Sequence, residues 1–144
     1  MIIEMNTHAN RSIEYAETLT KEQRLRAKEL MAKQFCDLLS HSPSENLYWL
    51  LSKTDLIDLA YEVYLTALLK DTSGRPYSFK RIVKRACAVL HVPEPCNPYS
   101  MAFNARNRKG VRQMSFFSRF CWRIYAMRSG NPLHAAVKWG SAGM

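Results

Sequence analysis

Four cationic residues fall close together in the middle of the chain, at Lys80, Arg81, Lys84 and Arg85. On a helix, which turns by about 100° per residue, all four lie on one side and the apolar residues of the stretch on the other. Cationic groups on an exposed helical face suit phosphate neutralisation, which supplies much of the affinity for nucleic acid without reading its sequence. The spacing therefore predicts a phosphate-contacting helix, although a merely solvated cationic face has the same pattern.

A second group of polar residues begins shortly after this stretch. Asparagine can pair bidentately with adenine and arginine with guanine, so a helix that carries both residue types can read base edges in the major groove. The candidates for base contact are Tyr99, Ser100, Asn104, Arg106, Asn107 and Arg108. Lys109 and Arg112 add two candidates for phosphate contact. Residues of these types also serve as helix caps and solubilising groups, so the spacing leaves both roles open.

Two further groups have the side chains of metal sites or of acid–base catalysis. The zinc-ligand types in the basic half are Cys87, His91, Cys96 and Cys121. Their spacing matches no standard zinc motif, so we expect free thiols and neither a metal nor a cofactor. The carboxylates Asp55, Asp58 and Glu62 form a possible cluster, with a spacing that a capped, solvated helical face also has. No common catalytic motif is present, and the sequence gives no support for an enzyme.

The periodicity of apolar residues predicts the helices that hold these groups. A capping box at Thr20 begins a helix over 20–39, and serine caps at Ser52 and Ser78 begin helices over 52–70 and 78–90. Asn97 and Pro98 begin another helix over 97–109, after a proline-rich connection that stops the preceding one. The last two are the components of a helix-turn-helix, in which one helix crosses the phosphate backbone and the next enters the major groove.

The remaining segments complete an all-α prediction. The start signals at 42–45 predict a short aromatic helix through Tyr48 and Trp49, and residues 115–128 predict a last helix whose buried stripe ends at Met127. We expect a compact single-domain bundle of about five helices that contains a helix-turn-helix-like unit. Its parts are a flexible segment 1–19, an N-terminal helix 20–41, a DNA-binding-like domain 42–130 and a frayed or loosely docked tail 131–144.

The charge of the chain is strongly polarised. The 144 residues carry a formal net charge of +9, and residues from 73 onward contain thirteen lysines and arginines but one acidic residue, Glu94. Such a basic half indicates a polyanionic partner, although a basic, soluble surface without such a partner is also known. The length is that of one domain, and no segment has the pattern of a secretory signal or a membrane span. We therefore expect a cytoplasmic protein without a membrane partner.

The sequence resembles the C-terminal domain of the RteC family, regulators encoded on tetracycline-resistance conjugative elements. The resemblance covers roughly residues 47–127, and its most distinctive part is the segment Ser52-Lys53-Thr54-Asp55-Leu56. The other residues that carry it are Trp49, Asp58, Leu59, Tyr61, Phe79, Ile82, Tyr99, Phe103, Arg106, Arg108, Lys109 and Phe116. It implies a DNA-binding helix-turn-helix that promotes transcription of excision genes, with the recognition helix near 99–109. The family carries a substantial N-terminal helical domain where about one long helix precedes the match here, and the residues after Arg128 differ from the charged helical end expected of the family.

The sequence thus predicts a protein that binds duplex DNA and regulates genes of a mobile element. A homodimer is expected if two half-sites are read, although no heptad pattern supports it. One alternative is a protein-interaction module, in which Leu30, Met31, Phe35 and Leu38 of the first helix seek a groove on an acidic partner. The other is an RNA or single-strand binding protein that uses the aromatic and basic residues of 116–128, Trp122 and Tyr125 above all.

Overall fold

The computed structural model describes residues 14–108 and 114–140. This part of the chain folds into six α-helices, a short 3-10 turn at Tyr15–Thr18, a π-helical turn at Trp122–Ala126 and a two-stranded sheet. The helices are α1 (Lys21–Leu39), α2 (Lys53–Thr66), α3 (Phe79–Leu90), α4 (Pro98–Arg108), α5 (Phe116–Cys121) and α6 (Pro132–Ala135). The strands are β1 (Leu47–Trp49) and β2 (Val137–Trp139). The all-α class predicted from the sequence is confirmed.

Helix α2 forms the centre of the fold. It packs against α1, α3, α4 and α5, and its side chains Leu56, Ile57, Leu59 and Val63 are fully buried. Phe35 of α1, Phe79 of α3 and Phe120 of α5 meet these aliphatic residues in one continuous core. Burial of a large apolar side chain contributes about 1.5–3 kcal/mol, so the residues of α2 hold the surrounding helices in place.

The first three long helices begin at the predicted residues because their N-terminal hydrogen bonds are local. Thr20 Oγ1 accepts from the Gln23 amide at 3.0 Å, and the Gln23 side chain accepts from the Thr20 amide at 2.9 Å, which completes the capping box. The Ser52 and Ser78 hydroxyls accept from the amides three residues later, in the same way. These bonds satisfy amides that have no partner within the helix.

Residues 47–49 form strand β1, so the predicted short helix through Tyr48 and Trp49 is wrong. The predicted start signals do act locally, because the Glu45 carboxylate accepts from the Ser42 amide at 2.8 Å. The helix does not continue, since Leu47, Tyr48 and Trp49 pair antiparallel with Trp139, Lys138 and Val137. His91, at the end of α3, also fixes this segment, with its ring nitrogens 2.6 and 3.0 Å from the carbonyl oxygens of Leu47 and Pro43. Tertiary contacts here override local helix signals.

Residues 131–140 are docked, so of the two alternatives predicted for the tail, frayed or loosely docked, the described part follows the second. Leu133 of α6 is only 1% exposed, and Val137 of β2 is also buried. The Gln34 side chain in α1 donates to the Gly130 carbonyl and accepts from the Leu133 amide. Gly140 donates to the Asn46 carbonyl at 2.6 Å, and any Cβ at that position would collide with Asn46. The strand and these bonds tie the segment to α1 and β1.

The structure differs from two further predictions, which concern the ends of the fold. Met127, predicted to be buried, is exposed, because the π-helical turn places an extra residue in the helical cycle and rotates the following side chains away from the core. Residues 14–19, the described part of the predicted flexible segment, are docked through the buried residues Glu14 and Ala16. The Ala16 amide donates to the Ser118 hydroxyl at 3.1 Å, so this segment packs against α5.

Candidate functional site

Helix α3 separates apolar and cationic residues as the sequence predicts. Phe79, Ile82, Val83, Ala86 and Leu90 are buried, and the four predicted phosphate-contacting residues are exposed on the opposite side. The segregation follows from the helical repeat, since residues three and four apart share a face. We call Lys80, Arg81, Lys84 and Arg85 the cationic face of α3.

The four residues of this face differ in what they contact. Arg85 donates from Nε to the Leu39 carbonyl at 3.0 Å and from Nη2 to the His41 carbonyl at 2.8 Å, at the C-terminal end of α1. The Arg81 guanidinium lies 4.6 Å from the centre of the Tyr77 ring. Lys80 and Lys84 make no ion pair or hydrogen bond with any residue that the structure describes. Their charges therefore have no acidic partner and are open to an anion.

Helix α4 presents a polar and aromatic face without acidic side chains. Ala102 and Ala105 are buried on the side that packs against α2, as predicted. Tyr99, Ser100, Asn104 and Asn107, four of the base-contact candidates, are exposed on the other side. Phe103 is exposed with them, at 65% of its surface. The Asn97 side chain accepts from the Ser100 amide at 3.1 Å, as expected of the residue that caps α4.

The N-terminal ends of α3 and α4 lie side by side. The ring centres of Phe79 and Tyr99 are 4.9 Å apart, in an edge-to-face arrangement. The connection between the two helices, residues 91–97, is longer than the turn of about 3–4 residues that joins the helices of common DNA-binding helix-turn-helix motifs. Helix α2 packs against both of them. The contact between Phe79 and Tyr99 joins the buried side of α3 to the first turn of α4, and α2 supports both helices.

Arg106, a predicted base-contact residue, is paired within the fold. Its Nη2 lies 3.0 Å from Glu62 Oε2 of α2, and its guanidinium lies 4.6 Å from the centre of the Tyr61 ring. The Arg106 Nε is buried and has no hydrogen-bond partner among the described residues. A guanidinium held by a carboxylate and an aromatic ring is committed to positioning α4, which leaves it few donors for a base.

Glu62 belongs to a row of three buried carboxylates on α2, with Asp55 and Asp58. Asp55 Oδ1 lies 2.5 Å from Arg119 Nη2 of α5, and Asp58 Oδ2 accepts from the Phe116 amide at 3.3 Å. Burial raises the pKa of Asp58, and the nearby Glu62 charge raises it further, against the hydrogen bond from Phe116. Of the two alternatives that the spacing leaves open, a cluster or a solvated face, these carboxylates form the cluster and are buried. This carboxylate row ties α4 and α5 to α2.

Glu14 is a buried polar residue for which no sequence pattern predicts a role. Its carboxylate accepts from the Ser115 amide, from the Ser115 hydroxyl at 2.5 Å and from the Ser118 hydroxyl at 2.8 Å. These are the first-turn groups of α5, where an acidic side chain is favoured by the free amides and the helix dipole. The serine cap at Ser115 can be read from the sequence, but nothing local indicates its partner a hundred residues away.

The other candidates for DNA contact lie outside the described residues. They are Lys109, Arg112 and the side chain of Arg108. Within 14–108 and 114–140, no three histidine, cysteine or acidic side chains come together as a metal site. All four cysteines are free thiols. No helix among these residues is long and apolar enough to cross a bilayer.

The structure also places the residues of the two alternative functions. Met31, Phe35 and Leu38, which would dock on an acidic protein, are buried in the core, and Leu30 is partly buried against it. Trp122 is exposed and meets Tyr15 edge to face, with ring centres 5.1 Å apart. Tyr125 is partly buried and donates to the Gln23 carbonyl at 2.9 Å. The apolar stripe of α1 is thus occupied by the fold, while Trp122 remains accessible.

Comparison of the chain with family models, curated proteins and solved structures found no match. The resemblance to RteC regulators stays a prediction from the sequence.

Proposed function

We propose that this protein binds duplex DNA through α3 and α4. The observation that carries the proposal is the division between paired and unpaired cations. Arg106 and Arg119 are neutralised by carboxylates of α2, whereas Lys80 and Lys84 have no acidic partner in the described chain. An exposed helical face that keeps only positive charge attracts a polyanion, and each phosphate it neutralises releases bound counterions.

In this proposal the two helices have different roles. The cationic face of α3 contacts phosphates and sets the affinity, while the exposed side of α4 turns toward the bases. Asn104 and Asn107 can pair with adenine, Tyr99 and Ser100 can donate to base or phosphate oxygens, and the exposed Phe103 can contact a thymine methyl. Arg106 is removed from the reading set and holds α4 against α2 instead. In the setting that the family resemblance implies, the duplex is a control sequence of a mobile element.

The salt dependence of binding tests the role of α3. The double variant Lys80→Gln/Lys84→Gln removes two unpaired charges and no contact of the fold. A plot of log K against log salt concentration has a negative slope, and each lost phosphate contact reduces the magnitude of this slope by about 0.9. For a random duplex, measured by fluorescence anisotropy, we therefore expect the magnitude to decrease by about 1.8. The matched control, Lys21→Gln/Lys33→Gln on the exposed side of α1, should leave the slope unchanged.

A second variant separates recognition of bases by α4 from the electrostatic attraction between the protein and the duplex. Asn104→Ala should reduce affinity for a selected duplex by about 1–3 kcal/mol and leave affinity for random duplex nearly unchanged. An equal decrease of slope in the α1 control would show that net charge alone drives binding. Tighter binding to a single strand, lost on Trp122→Ala, would favour the single-strand alternative instead. Absence of binding to either nucleic acid at low salt would contradict the proposal.

A further inference from the structure

A groove lies between the last turn of α1, the start of α3 and the turn that precedes α3. Its volume is about 280 Å³. The lining residues are Cys36, Leu39, Ser40, Leu69, Lys70, Tyr77, Arg81, Ile82 and Arg85. Ligand pockets in proteins are typically about 300–1,000 Å³, so the groove suits a small molecule of up to about three rings or a short acyl chain.

Both walls of this groove are fixed by hydrogen bonds. In the preceding turn, Asp71 Oδ1 accepts from the Ser73 amide at 2.9 Å, from the Ser73 hydroxyl at 2.7 Å and from the Arg75 amide at 3.0 Å. The Tyr77 amide donates to the Leu69 carbonyl, which closes the turn. On the opposite wall, Arg85 holds the carbonyl groups of Leu39 and His41. The groove is therefore preformed, which lowers the entropic cost of binding.

The chemistry of the lining combines an apolar floor with positive charge. Leu39, Leu69 and Ile82 supply buried aliphatic surface, and the Tyr77 ring is partly buried beside them. Lys70, Arg81 and Arg85 supply three cations, and the described residues that line the groove include no aspartate or glutamate. Arg85 uses two of its five N–H groups on carbonyl oxygens, so three remain free to donate.

We propose that this groove binds a small amphipathic organic anion, with an apolar body and a carboxylate, sulfonate or phosphate group. The apolar body rests on Leu39, Leu69 and Ile82, and the anionic group meets Arg81 and Arg85, one helical turn apart. A free inorganic anion leaves the apolar floor in contact with water, and a neutral apolar molecule makes no charge-assisted hydrogen bond with Arg81 or Arg85. The groove shares Arg81 and Arg85 with the cationic face of α3, so a bound anion competes with duplex phosphates for these two side chains, although binding of the small anion does not require that the protein binds DNA.

The proposal is tested with 8-anilinonaphthalene-1-sulfonate, whose fluorescence rises in apolar surroundings. N-phenyl-1-naphthylamine has the same ring system without the sulfonate, and inorganic sulfate has the charge without the rings. We expect one-to-one binding of the sulfonate probe that is at least about fivefold tighter than that of either control compound, as an added charge-assisted contact implies. Arg81→Gln should weaken binding of the sulfonate probe by about five- to tenfold.

The matched control is Arg26→Gln, on the exposed side of α1. Arg26 lies ten residues before Cys36, or about 15 Å along the helix, and carries the same charge. This variant should bind the sulfonate probe as the unmodified protein does. An equal loss in both variants would mean that net charge attracts the probe, and it would overturn the proposal.

Two exposed thiols locate the bound probe. Cys36 lines the groove and Cys96 lies outside it, while Cys87 and Cys121 are buried. At a probe concentration of ten times Kd, alkylation of Cys36 by neutral iodoacetamide should slow about tenfold, by mass action, while that of Cys96 stays unchanged. Residue-resolved mass spectrometry measures both rates. Equal protection of both thiols, protection of neither, or equally tight binding of the neutral analogue would overturn the proposal.

Discussion

The ion pair between Arg106 and Glu62 offers the sharpest test of how α4 is held. An exposed ion pair contributes about 0.2–1 kcal/mol, whereas removal of one partner from a buried pair costs about 3–5 kcal/mol. The side chains of Arg106 and Glu62 are 28% and 11% exposed, so the pair lies between these limits. We therefore expect Arg106→Gln to lower the free energy of unfolding by about 2–3 kcal/mol, including about 0.5–1 kcal/mol from stacking on Tyr61.

A double-mutant cycle isolates the pair from the rest of the fold. Glu62→Gln alone leaves Arg106 without its carboxylate, but it also relieves the repulsion between Glu62 and Asp58, so its cost is smaller than that of Arg106→Gln. The double variant should be more stable than the sum of the single changes implies, with a coupling energy of about 1–2 kcal/mol. Urea unfolding of the four proteins, followed by circular dichroism at low salt, measures this quantity.

The same variants decide whether Arg106 reads bases. As a residue that positions α4, it should affect duplex affinity only in proportion to the loss of folded protein, and affinity per folded molecule should be retained. The reasoning is refuted if Arg106→Gln leaves the unfolding midpoint unchanged and abolishes duplex binding. Coupling near zero would also refute it, because the pair would then be a contact without energetic consequence.

Two further predictions concern the buried polar row and the docked tail. Because the pKa of Asp58 is raised, the folded protein binds this proton more tightly than the unfolded chain does, and its contribution to stability is lost as pH rises from about 4 through the raised value. Asp58→Asn keeps an acceptor for the Phe116 amide, so its unfolding free energy relative to the unmodified protein should increase between about pH 4 and 7; a flat difference in urea titrations would contradict this. Leu133→Ala should cost about 2–5 kcal/mol, because the side chain is fully buried, and an unchanged thermal midpoint would show that α6 is not docked in solution.

The sequence predicted those parts of the fold whose stabilising contacts are local. Thr20, Ser52 and Ser78 each bond to an amide three residues away, so the starts of α1, α2 and α3 can be read from adjacent residues. The segregation of charge on α3 is equally local, since it depends only on the helical repeat. The predicted exposure of the cationic face and of most α4 candidates rests on this same property.

The errors lie where distant segments meet. The segment around Tyr48 carries helix start signals but becomes a strand because residues 137–139 pair with it. The sequence of neither segment indicates that the other is its pairing partner. The carboxylate row on α2 has a spacing compatible with a solvated face or a buried one. Its burial is decided by Arg106 and Arg119, which approach from other helices. Arg106 has a residue type that suits base contact, and its partner Glu62, on another helix, is not apparent from the segment around Arg106.

The antiparallel pairing of β1 with β2 has a consequence for synthesis of the chain. On the ribosome, residues 47–49 are synthesised long before residues 137–139, with which they pair. Gln34 is likewise synthesised long before its hydrogen-bond partners, the Gly130 carbonyl and the Leu133 amide. Until then the β1 segment presents unpaired backbone amides and carbonyls, and the core side of α1 lacks the cover of Leu133. The nascent chain is therefore exposed to aggregation during translation of α2 to α5, and a chaperone that binds apolar surface would act in that interval.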